Sequence, residues 1–522
     1  MRKLFSALLY VVAITVAVVT IARPFFVTTY PPITDLPFHA SETSIFRHYF
    51  DPSYHFEEQF EIAPLEVPYL SSYVLGALLM TFLPTVTAVK TATVLMLMAL
   101  PVGLGTLAWG MRKSPLLGLA GAPFAWCHLT HWGFINFVSA IGMFAAVLGL
   151  TLRVLDKPSR RSQIALALTL VLLFFTHVFR LPFAIAGVVG TTALMYPVVR
   201  RVKPVLWPMA PALVLFAIFW ILRPPELSPD FGPFHVELGR IAEAPGYLVN
   251  AFEGPDEKAV ALRFVQALGI VAIVCAAFAA SRFAGRTRNE QRFALHAALV
   301  PLGAAAMCAI GYLTLPIEAG LWWYIYPREA TCVAFFLVAL IPNLPEERWV
   351  RAALVGALAI ASLTVSSFVA GRYRAFDETT RDFVAVSEKI PKAPKLLYLV
   401  FDHDGSDRAQ TPYIHLPAWV QAEKGGWLSF HFAMFGASPV RYREGPDAVV
   451  PPPVPRRWEW TPDRYDHAAQ SPFFDWFLVR SRENPAPIFQ GDAIVLETHR
   501  GTWWLFRRQQ RVDNVSFTTT DP

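Results

Sequence analysis

The chain has 522 residues, of which 54% are hydrophobic and only 16% charged, with a formal net charge of +6. A water-soluble globular chain carries about 25% charged residues, so this composition excludes an ordinary soluble domain, and its apolar, aromatic-rich character excludes disorder. It points to a polytopic membrane protein, in which an excess of Lys and Arg reports loop position before it reports nucleic acid.

A hydrocarbon core about 30 Å thick calls for roughly 20 apolar residues per helix. Runs of this kind lie at 4–22, 69–87, 91–110, 133–152, 163–180, 182–199, 205–222, 259–281, 294–314, 329–343 and 351–371. They predict about eleven transmembrane helices, a domain spanning 1–371 with a long first outer loop at 23–68. The first run is long for a signal-peptide core of about 7–15 residues and reads as an uncleaved span with a cytoplasmic N-terminus. Leu116–Trp126 is interrupted by Gly118, Gly121 and Pro123 and reads as a re-entrant or interfacial piece. The four cysteines, Cys127, Cys275, Cys308 and Cys332, fall in apolar stretches without a CxxC pair and read as small core residues.

Charge orients these spans. Loops placed inside carry Lys90, Arg153, Arg160, Arg161, Arg200, Arg201, Arg286 and Arg351, whereas the outer loops 23–68 and 223–258 are acidic. Arg112-Lys113 is the exception, since eleven spans put it outside; if 116–132 crosses instead, a boundary elsewhere must move. An odd count places 372–522 on the outer face. This region is free of cysteine and carries strand-like runs at Lys395–Phe401, Trp427–Phe432, Trp476–Arg480, Ala493–Leu496 and Thr502–Phe506 behind a helix-like stretch from Asp377 to Lys389. It reads as an extracytoplasmic α/β domain, frayed after about Asp513.

The first outer loop contains Asp35-Leu-Pro-Phe-His39-Ala-Ser-Glu42-Thr43. Proline is tolerated in a first helical turn, so a helix beginning there sets His39, Glu42 and Thr43 on one face, with Asp35 just before it. A carboxylate and an imidazole fixed on a proline-stiffened element suit general-base chemistry; a capped interfacial helix with Asp35 as N-cap is the plainer reading. His128 and His131 form an i,i+3 pair beside Trp132 and Asn136, but a zinc site needs further ligands. His177 and Arg180 lie at a tight hairpin, and Trp322-Trp-Tyr-Ile-Tyr-Pro-Arg328 forms a short aromatic loop. Arginine at membrane depth faces a cavity or a partner, or snorkels, and its guanidinium suits phosphate; the aromatic cluster reads as a belt of interfacial anchors. Asp402-His-Asp404 has the look of a DxD metal site but sits in turn-rich sequence and reads as a loop. No P-loop or dinucleotide-binding glycine pattern occurs, and charges within the spans are few, which speaks against ATP-driven pumping and proton relay.

Asp35-Leu-Pro-Phe-His39, Trp132-Gly-Phe-Ile-Asn-Phe137 and the arrangement of spans resemble the GT-C superfamily of polytopic membrane glycosyltransferases, especially poorly characterised bacterial members. The resemblance covers most of the chain. It implies transfer of a sugar from a polyprenyl-phosphate donor to a glycan, lipid or protein acceptor at the outer face of a bacterial inner membrane. It assigns the base to Asp35, with His39 beside it, and contact with the lipid phosphate to Arg328. Glu42, His131, His177 and Arg180 are the remaining substrate-binding candidates. Many members pair two acidic residues in the first loop; here Asp35 has no adjacent partner and Glu42 or Asp51 would have to serve. No cofactor is expected, and no ligand set supports a divalent metal. A transporter or lipid flippase, or a non-catalytic scaffold whose outer domain binds partners, are the alternatives.

Overall fold

The computed structural model describes residues 2–509 apart from Pro229, Phe234, Asn250, Glu253, Ala284, 404–410, Arg456 and 490–492. Asp404 and the segment from Asp513 therefore lie outside the described residues. Eight of the described helices are long and apolar enough to cross a membrane, from Leu4–Phe26 to Arg348–Ser387, and the chain is a multi-pass membrane protein. The four cysteines are buried and unbridged.

Three of the predicted spans are shorter than that length. Ser71–Leu79, Arg160–Thr176 and Pro327–Val338 replace the apolar runs at 69–87, 163–180 and 329–343. The first does not cross the bundle. It begins beside the first loop, where Leu70 N–H donates to Phe175 O, and nine residues rise only about 14 Å. Lys90 then donates to Thr28 O at 2.6 Å. Lys90 thus lies at the first-loop end, not at the opposite end where the charge pattern put it.

The crossing lost at 69–87 is made up at 115–132. Arg112 forms a bidentate pair with Asp156 (3.0 Å from Nε to Oδ2), and Lys113 donates to Ala339 O and Ile341 O, all at the far end of the bundle. From there the chain returns. Trp126 Nε1 donates to Thr20 O, and His131 O accepts from Thr34 N–H. Pro115–Trp126 is a buried 3-10 helix of 12 residues, which at about 2 Å per residue covers most of a bilayer core. Its glycines are what let it pack: a Cβ on Gly118 would lie 2.4 Å from Pro101 O. Small residues that allow backbones to touch are how membrane helices bind each other without a hydrophobic driving force.

The last long helix, Arg348–Ser387, has 40 residues. It passes through 371–372 without a break and includes most of the predicted separate helix at 377–389. Beyond it stands a five-stranded sheet in the order Trp427–Leu428, Lys395–Val400, Trp476–Arg480, Trp503–Arg508, Ile494–Arg500. The first three strands are parallel and the last two antiparallel. Parallel neighbours need a crossover, supplied by the helix Ala418–Lys424. Leu396–Val400 are all buried, as expected of a strand covered on both faces.

The first loop and this sheet region form one body. Phe60–Ile62 pairs antiparallel with Val440–Tyr442. Tyr30 packs on Trp419, and Phe383 on Trp503. A continuous cluster of buried apolar side chains runs from the membrane helices to the strands. The cavity described next opens in this seam.

Candidate functional site

The first-loop helix spans Leu36–His48. Asp35 occupies its N-cap position but makes no capping hydrogen bond with its side chain. Its carboxylate instead meets His415 of the sheet region, with Oδ1 3.0 Å from Nδ1. The backbone is held from the other side: Thr34 and Asp35 N–H donate to His131 O and Trp132 O at 2.9 and 3.2 Å. Gly133 follows with φ +106°, a conformation that favours glycine.

Asp35, His39, Glu42, His177 and Arg328 line one cavity of about 350 Å³, together with Asn136, Trp322, Trp323, His415, Glu459 and Trp460. The first loop, the start of the helix Ile135–Asp156, the hairpin at His177, the aromatic loop and the sheet region each supply part of its wall. His39 and Glu42 are neighbours one helical turn apart, His39 Nδ1 lying 3.8 Å from Glu42 Oε2 and 2.9 Å from Tyr73 Oη. Burial opposes the charged forms of both. The ion pair outweighs it, so the pKa of His39 is raised and that of Glu42 is lowered. Ser438 also donates to Glu42 Oε1.

Arg328 begins the helix Pro327–Val338. It donates to Tyr324 O at 2.9 Å and Trp323 O at 2.8 Å and lies 4.0 Å above the Phe134 ring. Among the described residues no carboxylate pairs with it. Two carbonyls thus aim a guanidinium, still carrying its charge, at the cavity. His177 packs between Tyr69 and Phe137, and its buried Nδ1 has no hydrogen-bond partner among the described residues, as is true of Asn136 Oδ1.

Two expected site residues lie elsewhere. His131 is fully buried, with Nδ1 3.1 Å from Cys127 O and its ring against Phe252 and Tyr373. It serves the site through its carbonyl. Arg180 is not free for phosphate, because it makes a bidentate pair with Glu329 at 2.9–3.0 Å. Cys308, Glu329 and Cys332 have ligand-type atoms within 4.8 Å of one another, but the Arg180 guanidinium already bonds Glu329 and Cys332 and supplies the cation there. Asp51 lies on the surface, bonded to Ser53. Asp402 pairs with Arg480 and Arg482, which fits a structural turn.

His415 and Glu459 are the site residues that the sequence reading missed as such. His415 stands out in the sequence only as a polar mark near a strand, and Glu459 only as an acid between Trp458 and Trp460. Trp322 and Trp323, read as interfacial anchors, also line the cavity.

No family model and no curated protein matches the sequence. Solved structures do. ArnT from Cupriavidus metallidurans in the apo state aligns at a TM-score of 0.50 and 11% identity over 97% of this chain and 98% of that one. The same protein bound to undecaprenyl phosphate aligns at 0.45 with 11% identity over the same shares of both chains. The arabinofuranosyltransferase AftD from Mycobacteria aligns at 0.47 with 14% identity, over 97% of this chain and 40% of that one. The likeness to apo ArnT along both chains shows that this chain has an ArnT-like fold.

Proposed function

We propose that this chain is a GT-C-type glycosyltransferase that moves a sugar from a polyprenyl-phosphate donor to an acceptor at the outer face of a bacterial inner membrane. One observation carries the reading. The first-loop carboxylate Asp35 and the guanidinium of Arg328, which pairs with no carboxylate among the described residues, line the same cavity, in the seam between the membrane helices and the sheet region. The isoprenoid tail of such a donor stays in the bilayer, so its phosphate must be met at the membrane border.

In the reaction, the acceptor hydroxyl oxygen bonds to the anomeric carbon as that carbon's bond to the phosphate oxygen breaks. The proton passes to Asp35, whose Oδ2 is free of protein partners among the described residues. The lipid phosphate departs with the bonding pair, its charge met by Arg328. The positive charge developing on the sugar ring is favoured by the nearby carboxylates. The supporting features are the fold, the placement of Asp35 and the lack, among the described residues, of an acidic partner for Arg328.

The test compares glycolipid and glycan profiles of cells carrying wild type or Asp35→Asn at matched protein levels. Loss of a general base lowers the rate by about 10²–10⁴-fold, so one glycosylated product should vanish in the variant. An unchanged profile overturns the proposal.

A further inference from the structure

Asp35 and Arg328 account for a base and a phosphate contact, but two residues of the sheet region that line the same cavity, His415 and Glu459, each keep a polar atom without a use. His415 Nε2 and Glu459 Oε2 are both buried, and neither has a hydrogen-bond partner among the described residues. The two residues are only 4% and 9% exposed. A buried polar atom left unmatched is costly, and two on residues lining one cavity are answered by a ligand held there.

The surroundings of the two residues point to the ligand's chemistry. His415 Nδ1 faces Asp35 Oδ1 at 3.0 Å and Thr34 O at 3.2 Å. Both neighbours only accept, so Nδ1 carries a proton toward them, and Nε2 is the ring atom left to meet a ligand. Packing fixes the ring, with Phe38 at 4.7 Å and Phe432 at 5.5 Å. Burial raises the pKa of Glu459, the nearby Asp35 carboxylate acting in the same direction and His415 against it. An ionised phosphate only accepts, and the Asp35 carboxylate beside the pair repels it. A hydroxyl group donates and accepts and can answer both.

We propose that His415 and Glu459 form a subsite for a hydroxyl of the donor's sugar, so that the cavity selects a glycosylated polyprenyl phosphate over the bare lipid phosphate. This deepens the glycosyltransferase reading and rests on it. The sugar then lies toward Asp35, its phosphate toward Arg328.

The test measures binding to the purified full chain in nanodiscs. The probes are undecaprenyl phosphate and undecaprenyl phosphates carrying glucose, mannose or a pentose. Wild type should prefer at least one glycosylated probe over the bare lipid. Glu459→Leu should reduce that preference ratio by about 3- to 10-fold, the worth of one hydrogen bond. Glu459→Gln keeps the shape and both a donor and an acceptor and should retain part of it. His415→Phe should reduce the ratio similarly, whereas Arg328→Gln should weaken all probes and leave the ratio in place. If Glu459→Leu fails to fold, Glu459→Gln and His415→Phe carry the test. Wild-type binding without preference for any sugar, or an unchanged ratio in the folded variants, overturns the subsite alone. Failure of every polyprenyl phosphate to bind overturns both the subsite and the glycosyltransferase reading.

Discussion

Gly133 is built against Asp35: a Cβ at position 133 would fall 2.6 Å from the Asp35 Cβ. The contact joins the two sequence motifs that carry the GT-C resemblance, because Gly133 belongs to the second and Asp35 opens the first. A side chain there meets a steric clash and also a φ of +106° that only glycine adopts freely. Gly133→Ala should therefore displace the candidate base as well as strain the backbone, at a cost of about 1–3 kcal/mol. Thermal unfolding of the purified protein should show the loss. Sugar transfer should fall further than the folded fraction does, and parallel losses would argue that Asp35 has not moved.

Arg328 should be the main ionic contact for a lipid phosphate. Hydrogen bonds to charged groups contribute about 1.5–3 kcal/mol, so Arg328→Gln should weaken undecaprenyl phosphate binding by about 10- to 100-fold. Arg328→Lys keeps the charge but loses the fork geometry and should fall between. Native mass spectrometry in nanodiscs reads this directly, and full affinity in Arg328→Gln would remove this residue from the phosphate site.

The His39–Glu42 pair predicts a stability optimum in mildly acidic solution. His39 also faces Asp35 and Tyr73, and Glu42 also faces His431 and Ser438. The pKa of His39 is raised above its ordinary 6.5, so its contribution is complete below 6.5 and is lost as pH rises through the folded value. The pKa of Glu42 is lowered below its ordinary 4.5, so its contribution is complete above 4.5 and is lost as pH falls through the folded value. The pair thus contributes fully between about 4.5 and 6.5. Unfolding temperatures scanned from pH 5 to 8 should decline toward the alkaline side. Glu42→Gln should flatten that decline, and an identical slope in the variant would show that the pair does not set it.

Arg180 and Glu329 should behave as a structural pair. Removing one member of a buried ion pair leaves an uncompensated charge and costs about 3–5 kcal/mol. Glu329→Leu alone should therefore lower the yield of monodisperse protein in detergent, and the double variant Arg180→Leu/Glu329→Leu should recover much of it. A double variant no better than the single would mean that the pair is not the source of the loss.

Local features of the chain were legible in the sequence. Hydropathy depends on neighbouring residues, so most of the spans and the strands at 395–400, 476–480 and 503–508 can be read from composition and alternation. Proline in a first turn similarly places the helix Leu36–His48 right after Asp35. The crossing at 115–132 was hidden because its glycines and proline mark a break in an isolated helix. Inside the bundle those residues permit a stretched 3-10 path between closely packed backbones.

Which polar side chains share a site was decided by tertiary structure. Arg180 and Arg328 look alike in sequence, both beside aromatic residues at a membrane edge. Glu329 neutralises one from 149 positions away, whereas the other is held by carbonyls and keeps its charge. Asp35 had a local role open to it as a helix cap. His415, 380 residues further along the chain, takes the carboxylate instead and turns it to the cavity. The sequence states which groups carry charge, but the partner that cancels or aims a charge depends on proximity in space, and in this chain those partners lie on distant segments.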